Sequence, residues 1–282
     1  MKDYIQYTIK AVPFNAEILS SYLWQLEIEG LIENNTDIIV YSSKKLKYEI
    51  ENEFKKIICE GFIEHFDVTE KAVENKNWNE EWEKKINVVE VTDKIIVKPS
   101  FKDYESNPNQ IIITIDPKMS FGTGDHPTTR MALKLLEKYI SNEKRIIDVG
   151  TGTGILSIAS AKLGAENILG IDNDEWCLIN ATENVRKNYV EDKVEIRKAE
   201  LHEVNESDFD FVIANINKNV LQEICDTIND KIFCNGKLIL TGLLIEDEKD
   251  ILKSYSFPGL NLKTKLNEDE WIALYFEKEI MR

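Results

Sequence analysis

Long hydrophobic runs are missing from this chain of 282 residues. No stretch approaches the about 20 consecutive apolar residues that a membrane-spanning helix needs. The first residues, Met1 to Gln6, also lack the charged and then apolar pattern of a secretory signal peptide. We therefore expect a cytoplasmic protein that does not enter a membrane.

Clustered metal ligands are missing as well. The sequence has four cysteines and three histidines, all scattered, and it has no Cys-x-x-Cys pair. Zinc sites need ligands that lie close together, so we expect no metal site. We expect the cysteines to be reduced thiols packed as small hydrophobic residues.

Positive charge is scarce. The chain has 35 Lys and Arg against 51 Asp and Glu, a formal net charge of −16. The phosphates of nucleic acids must be met by clustered cations, so this balance argues against direct nucleic-acid binding. It suits a basic protein partner, although an acidic surplus that only maintains solubility explains it equally well.

The length favours two domains, and the patterns differ between them. Residues 1–70 show alternating and helical periodicities in the order β-α-β-β-α-β, which is typical of a small ferredoxin-like α+β domain. In this domain Asn15 is placed to cap the first helix and Gly30 to end it. Residues 71–90 are polar and predict a linker helix that carries Trp78 and Trp82 on one face. We interpret these rings as docking on a neighbouring domain, with stacking on a ligand as the alternative.

Residues 91–282 alternate apolar strands with amphipathic helices. Strands buried on both faces read as continuous apolar runs, so we expect a mostly parallel α/β sheet. The segment from Leu262 to Phe276 predicts a hairpin that closes this sheet antiparallel. The fold class is therefore a Rossmann-like α/β domain preceded by the small α+β domain.

A glycine-rich turn follows the first strand of the predicted sheet, from Asp148 to Gly154. Gly150, Gly152 and Gly154 let the backbone approach a ligand and turn tightly into a helix. Asp172 ends the next strand, where a carboxylate can accept hydrogen bonds from both ribose hydroxyls of an adenosine cofactor. A dinucleotide fingerprint needs its third glycine at Ile155, so a nicotinamide cofactor is disfavoured.

A second loop, from Met119 to Arg130, contains two glycines and a proline and leads into a helix. Thr128 and Thr129 fall in the first helical turn, where free N–H groups favour a carboxylate such as that of a methionine tail. We expect Phe121 and Thr129 in the cofactor site. His126 is interpreted as a hydrogen-bonding residue that orders the loop, with a general base as the alternative.

A third signal, Ala214 to Asn217, ends the fourth strand of the predicted sheet. Ligands of doubly wound sheets bind beyond the carboxyl ends of the strands, so Asn215 should face the same crevice. Its carbonyl oxygens could hold the N–H groups of an acceptor amine. Asn215 could instead only cap the following helix.

These strings together resemble the PrmA-type ribosomal protein L11 methyltransferases, which are class I S-adenosylmethionine-dependent enzymes. The similarity runs from about Asn77 to the C-terminus. Its most specific part is the string from Met119 to Thr129, and it includes the tryptophan motif at 77–82, the glycine turn, Ala214 to Ile216 and Glu270 to Ala273. The family usually has Thr or His at Asp125, whose carboxylate could favour a cationic cofactor or face solvent.

The resemblance implies that Thr129, Gly150, Asp172 and Asn215 contact S-adenosyl-L-methionine. It also implies that the N-terminal domain grips a basic ribosomal protein, whose lysine side chains and N-terminal amine are methylated. We expect a monomer in which Asn215 is the catalytic residue. The rival hypotheses are methylation of another protein, RNA or a small molecule, a non-catalytic binding module, and a nicotinamide oxidoreductase.

Overall fold

The computed structural model describes residues 4–23, 26, 28, 30–73, 87–116, 120–141 and 143–280. The chain divides into two compact units between residues 85 and 86. Within the described residues, no helix is both long and apolar enough to cross a membrane. The predicted linker helix with Trp78 and Trp82 lies outside the described residues.

The N-terminal unit comprises β1 (Tyr4–Val12), α1 (Ala16–Leu23), β2 (Gly30–Glu33), β3 (Ile38–Ser42), α2 (Lys47–Cys59) and β4 (His65–Val73). Its four strands form an antiparallel sheet in the order β2-β3-β1-β4. Alternate strand residues such as Tyr7 and Ile9 pack with Leu19, Ile50 and Phe54 of the helices in one core. This confirms the predicted ferredoxin-like element order.

The structure confirms the predicted start of the first helix and corrects its predicted end. Asn15 caps α1, accepting from the Ile18 N–H at 3.1 Å. Gly30 does not end the helix, because it begins β2 and pairs with Tyr41 of β3. The last strand of this unit reaches Val73, because it pairs along the whole of β1. The predicted domain boundaries remain predictions.

The C-terminal unit contains two sheets. The smaller one comprises β5 (Val89–Glu90), β6 (Ile95–Lys98) and β7 (Ile111–Thr114). The large sheet comprises β8 (Arg145–Val149), β9 (Asn167–Asp172), β10 (Val194–Lys198), β11 (Phe209–Asn215), β12 (Ile232–Leu244), β13 (Leu260–Glu268) and β14 (Trp271–Lys278). Its seven strands lie in the order β10-β9-β8-β11-β12-β14-β13. Strands β8 to β12 run parallel, whereas β14 is antiparallel to β12 and β13. The predicted closing hairpin is therefore correct.

Helices cover both faces of the large sheet. They are α3 (Pro127–Tyr139), α4 (Ile155–Lys162), α5 (Glu175–Lys187), α6 (Lys218–Glu223), α7 (Cys225–Lys231) and α8 (Glu248–Ser254). Successive strand residues point to opposite faces, so Ile146 joins the core under α3 and α4 while Ile147 joins the core under α6 to α8. Burial on both faces explains the continuous apolar runs, and it confirms the Rossmann-like fold class.

The four cysteines are free thiols. Cys59 and Cys234 are exposed rather than packed, contrary to the expectation that all four act as small hydrophobic residues. Cys59 ends α2, and Cys234 lies near the start of β12.

Candidate active site

A cavity of about 660 Å³ opens where the parallel strands end. Strand order reverses between β8 and β11, and ligands of doubly wound sheets bind at this switch point. Residues at or near the carboxyl ends of the parallel strands line the cavity: Val149, Gly150, Asp172, Leu201, Asn215 and Gly242. Its volume lies in the range of small-molecule and cofactor sites.

The glycine turn forms the floor of this cavity. Gly150 and Gly152 have φ of 72° and 55°, which side chains rarely adopt. A Cβ on Gly150 would lie 2.4 Å from Cγ2 of Ile216, and one on Gly152 would lie 2.5 Å from the carbonyl oxygen of Phe121. The chain thus packs too closely here for any side chain, and the turn presents its backbone.

Asp172 is fixed by the turn that it faces. One carboxylate oxygen accepts the Gly152 N–H at 3.0 Å, and the other accepts the Asp174 N–H at 3.0 Å. The carboxylate lines the cavity. Each ionised oxygen has a second acceptor position, so Asp172 can also receive two hydroxyl groups from a ligand.

The loop from Ser120 to His126 is attached directly to the glycine turn. The Thr153 N–H donates to the Phe121 carbonyl at 3.0 Å, and the Thr153 hydroxyl donates to the Gly122 carbonyl at 2.7 Å. Phe121, predicted as a cofactor residue, lines the cavity.

Three aromatic rings form one wall of the cavity. The His126 ring centroid lies 5.2 Å from that of Phe121 and 4.8 Å from that of Trp271. The His126 Nδ1 lies 2.7 Å from the Thr128 hydroxyl and accepts the Thr128 N–H, so this side chain caps α3. Burial, together with the charge of Arg130, lowers the pKa of His126. These contacts support the loop-ordering role over a general base.

The two threonines at the start of α3 have different surroundings. Both are fully buried, but only Thr128 is among the residues that line the cavity. The Thr129 hydroxyl accepts from the Asn215 Nδ2 at 3.5 Å. Gly154 is also not among the lining residues; it is the N-cap residue of α4 and packs against Ala181. The structure thus places the Thr129 hydroxyl against Asn215, and the contacts predicted from Thr129 and Gly154 to the cofactor remain predictions.

Asn215 faces the cavity with one polar atom unused. Its Oδ1 is buried and makes no hydrogen bond. Asn217, not Asn215, caps the next helix, since its side chain accepts the Val220 N–H at 3.1 Å. The capping alternative for Asn215 is therefore wrong. A buried acceptor without a partner is unfavourable, so this oxygen is available for a donor on a ligand.

The charge of the cavity is one-sided. Asp172, Glu200 and Glu223 line it, and the described lining contains no Lys or Arg. The sequence analysis did not single out Glu200 or Glu223, although Glu200 follows β10 and could have been found by the same strand-end rule as Asp172.

The residues present fit S-adenosylmethionine. Asp172 can receive ribose hydroxyls, the side-chain-free turn admits a ligand against its backbone, and the carboxylates suit a sulfonium and an ammonium group. The pyrophosphate of a dinucleotide would meet these carboxylates without a facing cation in the described lining.

Asp125 does not reach this cavity. Its side chain is 82% exposed, and its carboxylate lies 3.5 Å from Arg130. Of the two interpretations offered for this residue, the structure supports the solvent-facing one.

Arg130 joins the segments that carry the aromatic wall. Its Nε donates to Glu268 of β13 at 2.6 Å, and its guanidinium also donates to the Asp125 carbonyl. The Glu268 carboxylate also forms a salt bridge with the Lys134 ammonium at 2.9 Å. The loop with His126 and the hairpin with Trp271 are thus tied to the same side chain.

We expect Arg130→Gln to weaken S-adenosylmethionine binding about fivefold, because the amide cannot bridge both segments and the ring wall loosens. Arg186→Gln, at an exposed arginine of α5, is the matched control and should leave affinity unchanged. Isothermal titration calorimetry measures both. Equal affinities of the two variants would contradict the bridging role.

Asp148, beneath the turn, was missed as a functional candidate although it begins the glycine motif. It is 1% exposed, and one oxygen accepts from Thr151 and from the Ser157 hydroxyl, both at 2.7 Å. Its other oxygen has no partner. Burial raises the pKa of Asp148 from 3.8 to about 6.

This pKa predicts a specific pH dependence of stability. Because the folded-state pKa exceeds the unfolded one, the stabilising contribution is full below pH 3.8 and is lost as the pH rises through about 6. We expect wild type to lose about 3 kcal/mol of unfolding free energy relative to Asp148→Asn between pH 3.5 and pH 7. Urea titrations of both proteins measure this difference, and a difference independent of pH would contradict the shift.

Comparison with known proteins places this site in a family. Residues 13–279 match the family described as ribosomal protein L11 methyltransferase (PrmA). A ribosomal protein L11 methyltransferase of Chlorobaculum tepidum is 39% identical over 269 residues, covering 93% of this chain and 92% of that protein. One of Listeria innocua is 32% identical over 265 residues, covering 92% and 84%.

A solved structure agrees with these matches. The ribosomal protein L11 methylase of Lactobacillus delbrueckii subsp. bulgaricus superposes with a TM-score of 0.64 at 28% identity, covering 68% of this chain and 99% of that one. These findings confirm the predicted methyltransferase class and S-adenosylmethionine as the cofactor. The match over nearly the whole chain leaves one assignment: this protein belongs to the ribosomal protein L11 methyltransferase (PrmA) family.

Proposed function

We propose that this protein methylates the lysine side chains and the N-terminal amine of ribosomal protein L11, as a monomer in the cytoplasm. The names of its relatives support this acceptor. The acidic chain and the carboxylate-lined cavity favour a basic protein over RNA, whose phosphates need facing cations. We assign recognition of the ribosomal protein to the N-terminal domain and no direct contact to nucleic acid.

The cofactor is assigned to the floor of the cavity. Asp172 would receive the ribose hydroxyls, and the Gly150 and Gly152 backbone would pack against the bound molecule. Phe121 would cover it from the loop side. When bound, S-adenosylmethionine supplies a methyl group activated by a sulfonium.

The acceptor amine is assigned to Asn215. Its Nδ2 donates to Thr129, which leaves the partnerless Oδ1 to accept an N–H of the amine and orient its lone pair. Orientation of this kind can supply roughly 7–11 kcal/mol of a barrier in favourable cases. A lysine ammonium must first lose a proton, and desolvation in the cavity lowers its pKa. Because His126 Nδ1 is used in capping α3, we assign the proton to water rather than to a side chain.

One observation carries this proposal: the unpartnered Asn215 amide oxygen and the Asp172 carboxylate line the same cavity, whose described lining has carboxylates but no Lys or Arg. The test is incubation of the purified protein with ribosomal protein L11 and S-adenosylmethionine, followed by peptide mass spectrometry. We expect methyl groups on lysines and on the N-terminal amine. Label in RNA or small molecules alone would support a rival acceptor, and no turnover with any cell fraction would support a binding module.

A further inference from the structure

Two large apolar side chains are exposed beside the cavity, on the outer face of α5. Trp176 is 75% exposed and Ile179 is 48% exposed. They are three residues apart in the helix, so they are neighbours on one surface. Exposed tryptophan is uncommon on a surface that serves only solubility, and tryptophan is enriched among residues that dominate protein interfaces.

The helix beneath this pair is firmly held. Asn184 donates to the Thr153 carbonyl at 2.9 Å, and Asn188 donates to the Thr114 carbonyl at 2.7 Å. At its start, Asp174 accepts the Trp176 N–H at 2.8 Å. Trp176 and Ile179 are therefore presented on a fixed frame, which lowers the entropy lost when a partner binds.

The pair lies on a segment that lines the cavity. Asp172 and Asn173 line the cavity before Trp176, and Cys177 lines it directly after. The Trp176 ring is therefore carried by the same stretch of chain that supplies part of the cavity lining.

The chain segments next to Trp176 are rich in carboxylates. Strands β9 and β10 end side by side, with Asp172 opposite Lys198 in the strand register. The segments 172–176 and 198–203 that contain or follow these ends carry five carboxylates and one lysine: Asp172, Asp174, Glu175, Glu200 and Glu203 against Lys198. An exposed indole among carboxylates suits lysine and arginine side chains, which can lie over the ring while their charge faces the acids.

We propose that Trp176 and Ile179 form a docking platform for a lysine- or arginine-rich segment of the protein acceptor. The platform holds the segment at the rim while one amine enters the cavity. This inference rests on the proposed function, because it assumes a basic protein acceptor.

The test is steady-state kinetics of the double variant Trp176→Ala with Ile179→Ala, with ribosomal protein L11 as the acceptor. We expect KM for the protein to rise about tenfold, since a hot-spot truncation is worth at least about 1.4 kcal/mol, with kcat within twofold. The calorimetric affinity for S-adenosylmethionine should not change, because the platform lies outside the cavity lining. The matched control is Tyr189→Asn, which removes an exposed aromatic ring (86%) just past the other end of α5, where φ is 56° and Asn is tolerated.

The outcomes separate this inference from the function on which it rests. If wild type methylates ribosomal protein L11 but the double variant keeps its KM, or if Tyr189→Asn raises KM equally, the platform is refuted and the function stands. Loss of cofactor affinity in the double variant would assign the ring to the cofactor site and also refute the platform. If wild type does not methylate ribosomal protein L11 at all, the proposed function and the platform both fall.

Discussion

Asp172→Ala is expected to weaken S-adenosylmethionine binding at least a hundredfold. The carboxylate lines the cavity and keeps acceptor positions beyond those used by the N–H groups of Gly152 and Asp174. A hydrogen bond to a charged group contributes about 1.5–3 kcal/mol, so loss of two ribose hydroxyl contacts removes about 3 kcal/mol or more. Each tenfold change in affinity corresponds to about 1.4 kcal/mol.

Isothermal titration calorimetry measures this loss of affinity, and two further variants serve as comparisons. Asp125→Ala removes an exposed acid outside the cavity lining, so its affinity should match wild type. Asp172→Asn keeps an oxygen acceptor and should weaken binding less than Asp172→Ala. Near-wild-type affinity of Asp172→Ala would refute the assignment of the ribose hydroxyls to Asp172. An equal loss of cofactor affinity in Asp125→Ala would show that only overall charge matters.

Asn215→Ala is expected to lower kcat about a hundredfold while cofactor affinity falls less than tenfold. The buried Oδ1 has no partner in the protein, so we assign its hydrogen bond to the acceptor amine. Loss of this contact removes the orientation of the amine and leaves most of the cofactor contacts in place. An effect on kcat of this size corresponds to about 2.7 kcal/mol of transition-state stabilisation.

Stopped assays with saturating cofactor separate kcat from KM, and calorimetry gives the cofactor affinity. Asn217→Ser is the matched control, because Asn217 also lines the cavity but uses its side-chain oxygen to cap α6, a role that serine can keep; its kcat should match wild type. Thr129→Val removes only the hydroxyl that receives the Asn215 amide, so its kcat should lie between those of wild type and Asn215→Ala. If Asn215→Ala loses cofactor affinity but keeps kcat, its role is cofactor binding alone.

Strand-end reasoning located much of the site from the chain alone. Asp172 and Asn215 each end an apolar run, and the ends of neighbouring parallel strands meet at one edge of the sheet. The glycine turn could also be predicted from the sequence, because positive φ and close backbone approach leave glycine as the only suitable residue. These features depend on local conformation and on strand direction, both of which the order of residues encodes.

Contacts between segments that are far apart in the sequence could not be predicted from strand ends or turns. Adjacent threonines differ in role because Thr128 faces the cavity and Thr129 meets Asn215, 86 residues away. The aromatic wall joins Trp271 to His126, and Arg130 joins Glu268 to the same loop. A helical period assigns neither threonine to the cavity, since both lie in the same turn.

The amino-acid order by itself therefore determined the strand and helix succession, the chemistry at each strand end and the acidic character of the chain. Only the tertiary structure decided that the Asn215 oxygen is left without a partner, that Asp125 faces solvent, and that Trp176 stands exposed beside the cavity. The reason is physical. Periodicity and turn chemistry act over a few residues, whereas burial and hydrogen-bond satisfaction depend on which distant side chains arrive at the same place.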